Sequence, residues 1–173
     1  SKSGEINRLT KMIKPNLGLI TNIGVAHLEN FKNIKGIAKA KSEIINNIVK
    51  NGTVILNRDD NFFNFLNKKA KLKNIKVVTF GMTKNSDVYP IKIRKIKEVT
   101  QITIKVIDGI IKLKIKNINI YNVLSSLAIL TELGLKINKT VQVYKNFEPS
   151  EGRGKIHKIK RYKKNFILIN ESY

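Results

Sequence analysis

Apolar residues recur along the chain first at helical spacing and then in short unbroken runs. Ile6, Leu9, Met12 and Ile13 fall three and four residues apart and stop before Pro15, which predicts a short helix within residues 1–14. Leu17 to Ile23 reads as a buried strand and Gly24 to Asn33 as a loop. Ile34, Ile37, Ile44, Ile45 and Ile48 then lie on one face of a helix over 34–50, which Asn51-Gly52 ends. Lys41 falls on that same apolar face, whereas Lys39, Ser42, Asn46 and Asn47 point elsewhere. Thr53 to Leu56 is a second short strand. Asn57-Arg58-Asp59-Asp60 is a turn able to cap a helix carrying Phe62, Phe63, Phe65 and Leu66, and Ile75 to Phe80 is a third strand closed by Gly81. Strand, helix, strand, helix, strand is the rhythm of a mostly parallel α/β sheet flanked by helices.

The period then changes to two. Val88 to Ile96, Val99 to Ile107 and Ile110 to Ile115 alternate apolar with polar or basic residues, with Lys97-Glu98 and Asp108-Gly109 between them. This predicts a small antiparallel three-stranded sheet over 88–116 with one face in water. Asn117 to Leu133 returns to helical spacing and stops at Gly134, and Val141 to Phe147 suggests another short helix. A basic strand near Ile156 to Tyr162, a turn at Lys163 to Asn165 and a last strand from Phe166 to Asn170 complete the chain. Ligands in open α/β sheets sit at the carboxyl ends of strands, and Glu171-Ser172-Tyr173 follows such an end.

Composition narrows the class. The 173 residues suffice for one domain with a core, and 42% hydrophobic content argues against disorder. No apolar run is long enough to span a bilayer. The absence of Cys excludes disulfides and thiolate metal sites and fits a cytoplasmic protein. The net charge of +22 is nearly all Lys, scattered along the chain rather than gathered in a block. Few Arg are present to read bases, so a solvated basic surface is favoured over a nucleic-acid site.

Several residues can carry chemistry. Burial disfavours an ammonium, and a neutral lysine amine can attack a carbonyl, form a Schiff base or add carbon dioxide as a carbamate. Lys41 is the candidate; the alternative is a side chain that snorkels to the helix edge. His27 follows the first strand and is either structural or a ligand, with Lys41 its possible partner; Glu29 is either a ligand or a surface carboxylate. Asn57, Asp59 and Asp60 can hold a ribose or a metal-bound water, or simply cap a helix. Asn119 and Asn122 open a helix, and an Asn amide can pair bidentately with an adenine edge; capping is again the alternative. Arg153, between two Gly, can reach a phosphate or lie in an ordinary loop.

Taken in order, these pieces resemble a family. Thr21-Asn22-Ile23-Gly24, Ala26-His27-Leu28-Glu29, Ala38 to Ile44, Leu56 to Asp60, Asn119 to Asn122, Gly152-Arg153 and Glu171-Ser172-Tyr173 are similar to the central domain of the Mur ligases. These are ATP-dependent amino-acid ligases of peptidoglycan synthesis. Within the family the likeness is strongest to members that add D-alanyl-D-alanine to UDP-N-acetylmuramoyl-tripeptide, through Ser3-Gly4-Glu5-Ile6, the Ala-His-Leu-Glu string and the Ser-Tyr ending. The resemblance implies a carbamylated Lys41 and His27 as magnesium ligands. It implies Asn122 at the adenine, Arg153 at the ATP phosphates, and Asn57, Asp60 and Glu171 near the nucleotide. It also implies a cytoplasmic, monomeric enzyme using ATP and Mg2+, with no specific nucleic-acid partner and no membrane insertion. Ile118 departs from the family's usual His, and Asn170-Glu171 from its usual pair of Asp. No G-x-x-x-x-G-K-[ST] is present, so residues 1–173 read as the latter part of a central ATP-binding domain. On this expectation the phosphate loop, an N-terminal substrate domain and a C-terminal Rossmann-like domain lie outside the chain. The alternatives are another ligase of the same superfamily, such as a folylpolyglutamate synthetase-like protein, or a basic nucleic-acid-binding module.

Overall fold

The strand β2 (Thr53–Asn57) is buried along its whole length and forms the middle of a three-stranded parallel sheet. β1 (Leu17–Ile20) pairs with it on one side and β3 (Lys76–Phe80) on the other. The computed structural model describes residues 2–24, 31, 33–116, 118–137, 141–152 and 154–170. Both faces of the parallel sheet are covered. Val54, Leu56 and Ile20 pack against Ile37 of α2 (Ile34–Lys41), Ile45, and Leu66 and Ala70 of α3 (Phe63–Leu72). Ile55, Val78 and Phe80 pack against Val123, Leu124 and Leu127 of α4 (Ile120–Glu132). Burial on both faces is why these strands read as unbroken apolar runs rather than as alternations.

The segment after the first strand departs from the single helix expected over 34–50. The α-helix ends at Lys41, and Ser42–Asn47 continue as a tighter 3-10 helix. The Ser42 hydroxyl donates to the Lys39 carbonyl at 2.7 Å and accepts from Lys69 Nζ at 2.8 Å. Such back-bonding competes with the helical ladder and bends it. The change of pitch turns Ser42 inward, where it is 1% exposed, and leaves Lys41 only half-buried. Desolvation pushes the Lys69 ammonium below its usual range. Gly52 is not the left-handed stop; Asn51 takes that conformation with φ 64. Gly52 instead permits a close approach, since a Cβ there would meet Ile48 Cγ2 at 2.5 Å and the Asn16 carbonyl at 2.7 Å.

The helix α1 (Glu5–Ile13) docks through polar groups rather than its apolar stripe. Glu43 accepts from the Gly4 and Asn7 amides, and the Asn47 amide donates to the Asn7 carbonyl and to the Thr10 hydroxyl. Met12 and Ile13 remain in solvent at 79% and 71% exposure.

The antiparallel sheet consists of β4 (Tyr89–Ile96), β5 (Val99–Val106) and β6 (Gly109–Ile115). Ile102, Ile104, Ile111, Leu113 and Ile115 bury one face in the same core as α4. After α5 (Val141–Asn146) comes a two-stranded hairpin, β7 (Lys155–Arg161) and β8 (Lys164–Asn170). Its turn is Tyr162-Lys163, one residue earlier than the sequence suggests. Both residues have positive φ, 50 and 58, the backbone that a two-residue hairpin requires and that Asn-Gly usually supplies. Glu98, at the β4–β5 turn, ties this hairpin down through Lys158 at 2.6 Å and also meets Lys116 at 3.0 Å. Hydrogen bonds from Lys158 and then Lys116 hold the Glu98 carboxyl at about 2.

Ile55 joins the central strand to the α4 side of the core and is fully buried. Ile55→Ala should therefore cost roughly 2–5 kcal/mol, read from urea unfolding of the two proteins.

Candidate functional site at the carboxyl edge of the parallel sheet

All three parallel strands run the same way, so their carboxyl ends open on one edge. Each end leads into a loop whose backbone N–H groups need partners. The loop after β2 supplies them. The Asn57 side chain, itself buried, accepts from the Asp59 amide at 3.0 Å and folds the turn. Asp60 Oδ1 accepts from the Phe62 amide at 2.7 Å, and Asp60 Oδ2 reaches across to the Ile23 amide, beyond β1, at 2.6 Å. Asp59 Oδ2 accepts from the Met82 amide, beyond β3, at 2.6 Å and from the Tyr121 hydroxyl at 3.0 Å. Gly81 lets the β3 exit come this close, because a Cβ there would lie 2.7 Å from Ser86 Oγ and 3.0 Å from the Asp59 carboxylate. The Arg58 amide donates to the Phe80 carbonyl at 2.8 Å, and its guanidinium lies over the Phe63 ring, 4.6 Å from the centroid.

Tyr121 carries this framework to α4. Asn119 caps that helix by accepting from the Tyr121 amide at 2.9 Å. Burial, then the bond to Asp59 and its negative charge, raise the Tyr121 phenol above its usual value. One residue on, Asn122 is exposed in the first turn of α4, and its side chain has no hydrogen bond among the described residues. The amide is thus presented outward from a helix start whose position Asp59 fixes.

Lys41 approaches the edge from the other side. Its Nζ donates to the Asn22 carbonyl at 2.9 Å, in the loop after β1 and next to the Ile23 amide that Asp60 holds. The side chain neither snorkels away from the sheet nor is sealed in the core; it points to the strand ends. The arrangement brings Lys41, Asn57, Asp60 and Asn122 onto one edge through directly bonded neighbours. His27, Glu29, Arg153 and Glu171 lie outside the described residues. Among the described residues no cluster of acidic and His side chains is complete enough to hold a metal ion. Asp59 is a candidate from its place after β2, but Tyr121 and the Asn22 carbonyl were not legible as site elements. The adjacent Asp59-Asp60 pair straight after a strand was the available signal, because neighbouring carboxylates there can each serve a different strand end.

Known proteins are similar to the chain along this framework. A family model described as the Mur ligase middle domain matches residues 1–130. The UDP-N-acetylmuramoyl-tripeptide–D-alanyl-D-alanine ligase of Buchnera aphidicola subsp. Baizongia pistaciae is 30% identical over 173 residues, covering 98% of this chain and 36% of that protein. MurF from Acinetobacter baumannii, in its crystal structure I, aligns with a TM-score of 0.84 at 24% identity, over 99% of this chain and 37% of that one. The MurF ligase from Thermotoga maritima, solved in complex with ADP, aligns with a TM-score of 0.79 at 22% identity, over 100% of this chain and 39% of that one. The chain thus spans little more than a third of the length of these relatives.

If the Asp60 carboxylate fastens two loops, Asp60→Ala should destabilise the chain by about 2 kcal/mol or more, as two charge-assisted bonds are lost. Asn122→Ala, which breaks no bond here, should stay within about 0.5 kcal/mol. Urea unfolding of both variants beside the parent checks the contrast.

Proposed function

The chain belongs to the Mur ligase middle-domain family, and from that premise we propose that it is the latter part of the central ATP-binding domain of an enzyme that joins D-alanyl-D-alanine to UDP-N-acetylmuramoyl-tripeptide. Residues 88–116 form its small antiparallel subregion. In the proposed reaction the γ-phosphoryl group of ATP passes to the carboxylate of the UDP-linked peptide and ADP leaves. The amine of D-alanyl-D-alanine then attacks the acyl phosphate, an amide forms, and phosphate and a proton are released. Charge on the transferring phosphoryl group dominates such a reaction, so positioned cations and donors carry most of the catalysis.

The observation that carries this reading is the Lys41 amine held beside the loop after β1, on the edge that Asn57, Asp60 and Asn122 share. Asn122 is proposed to meet the adenine edge with its unpaired amide, and Arg153 the phosphates. Glu171 is proposed near the nucleotide. Asn57 and Asp60 are proposed to act there by fixing the loop, since their oxygens are used on backbone amides. His27 and Lys41 are proposed to hold magnesium, which would neutralise phosphoryl charge. An ammonium repels a cation, so this role fits Lys41 only as a carbamate, formed when its neutral amine adds carbon dioxide and loses a proton. The proposal also takes the enzyme as cytoplasmic and monomeric, with no specific nucleic-acid partner. No helix among the described residues is long and apolar enough to cross a membrane.

The test is Lys41→Ala in the full-length enzyme assayed with both substrates. Turnover should fall by about a hundredfold or more, and added formate or acetate should restore part of it by supplying the missing oxygen ligand. Normal turnover in the variant contradicts the proposal. Turnover with another amino acid in place of D-alanyl-D-alanine would instead assign the chain to a different ligase of the superfamily, the folylpolyglutamate synthetase-like branch included.

A further inference from the structure

The solvent face of the antiparallel sheet is independent of the edge described above. The register sets its side chains out as a grid. Lys92, Thr103 and Lys112 lie across the three strands in one row, and Arg94, Gln101 and Lys114 in the next. Tyr89, Lys105 and Ile110 flank the first row, and Ile96 and Val99 the second. Alternate residues Ile102, Ile104, Ile111 and Leu113 are buried beneath, which fixes the grid side outward. Rows on one face are about 7 Å apart and strands about 4.8 Å apart, so the cations are close neighbours. No acidic residue occupies the grid, and Lys92, Arg94, Lys105, Lys112 and Lys114 have no acidic partner among the described residues. Elsewhere Glu98, Glu132 and Glu151 do pair with lysines. Isolated apolar side chains stand at the corners: Ile96 is 44% and Ile110 62% exposed.

We propose that this face docks peripherally on an anionic lipid bilayer. An array of like charges on one sheet face, without counter-charges, complements a surface that is itself negative. Lysines act as point charges for headgroups, and corner isoleucines with Tyr89 can enter the interfacial layer. A polynucleotide fits less well. Arg94 is the one guanidinium on the grid and Tyr89 the one aromatic ring, whereas single strands are gripped by stacking on aromatic side chains. Docking requires no insertion of the fold and leaves the carboxyl edge of the parallel sheet free.

The experiment is co-sedimentation of the full chain with vesicles of phosphatidylcholine alone and of phosphatidylcholine with phosphatidylglycerol, at physiological ionic strength. Binding should require phosphatidylglycerol and weaken with added salt. Lys92→Glu, Lys112→Glu and Lys114→Glu combined should lower partitioning at least about tenfold, and the matching Gln triple less. Lys11→Glu, Lys35→Glu and Lys71→Glu, exposed residues elsewhere, should leave it within about twofold. Circular dichroism confirms that each variant is folded. Equal losses in the two Glu triples would overturn the proposal, as would unchanged binding in the grid triple. Tighter, grid-dependent binding to a single-stranded oligonucleotide than to the anionic vesicles would overturn it too, in favour of a nucleic-acid face.

Discussion

Two adjacent carboxylates hold the carboxyl edge of the parallel sheet together. A parallel sheet ends in loops whose amide groups have left the ladder, and each needs an acceptor. Asp60 satisfies the exit of β1 and its own turn, while Asp59 satisfies the exit of β3 and the start of α4 through Tyr121. The bonds run from neutral donors to ionised acceptors at 2.6 to 3.0 Å, the stronger class of hydrogen bond. Both acceptors sit on one short turn, so the three strand exits and the helix start are tied to a single loop.

The proposed phosphoryl transfer would call for loops fixed in this way. Such chemistry depends on placing donors and cations to within a fraction of an ångström, since the protein forms no covalent bond itself. The double-sided core supplies the base of the arrangement: β2 is clamped between α2 and α3 on one face and α4 on the other. The back-bonded Ser42, buried against Lys69, ends α2 just beyond Lys41. The lysine therefore leaves the helix at its last turn and reaches the Asn22 carbonyl instead of lying along the helix.

Much of this was legible in the sequence, for physical reasons particular to each element. β1, β2 and β3 are apolar runs because both faces are buried, and α4 announced itself with Val123, Leu127 and Leu130. The antiparallel sheet was legible because one face stays wet, which enforces alternation. The 3-10 segment was hidden, since its isoleucines keep a spacing compatible with an α-helix while its pitch is set by Ser42 and Lys69, distant in sequence. The Tyr162-Lys163 turn was hidden because neither residue is a usual bearer of positive φ. The apolar spacing of α1 announced the helix but not its docking, which runs through Glu43 and Asn47. The ordered motifs pointed to the family, but the bonds that make Asp59 and Tyr121 part of the edge are long-range and leave no local pattern.

The proposed role of Lys41 at this edge is that of an oxygen ligand, as a carbamate. Carbon NMR of the full-length, active enzyme, equilibrated with 13C-labelled carbon dioxide and carrying 15N-labelled lysine side chains, reads this directly. A carbamylated Lys41 gives one carbamate carbon coupled to a lysine nitrogen, lost in Lys41→Arg. An active enzyme with no such resonance, or with one that survives the substitution, would contradict it.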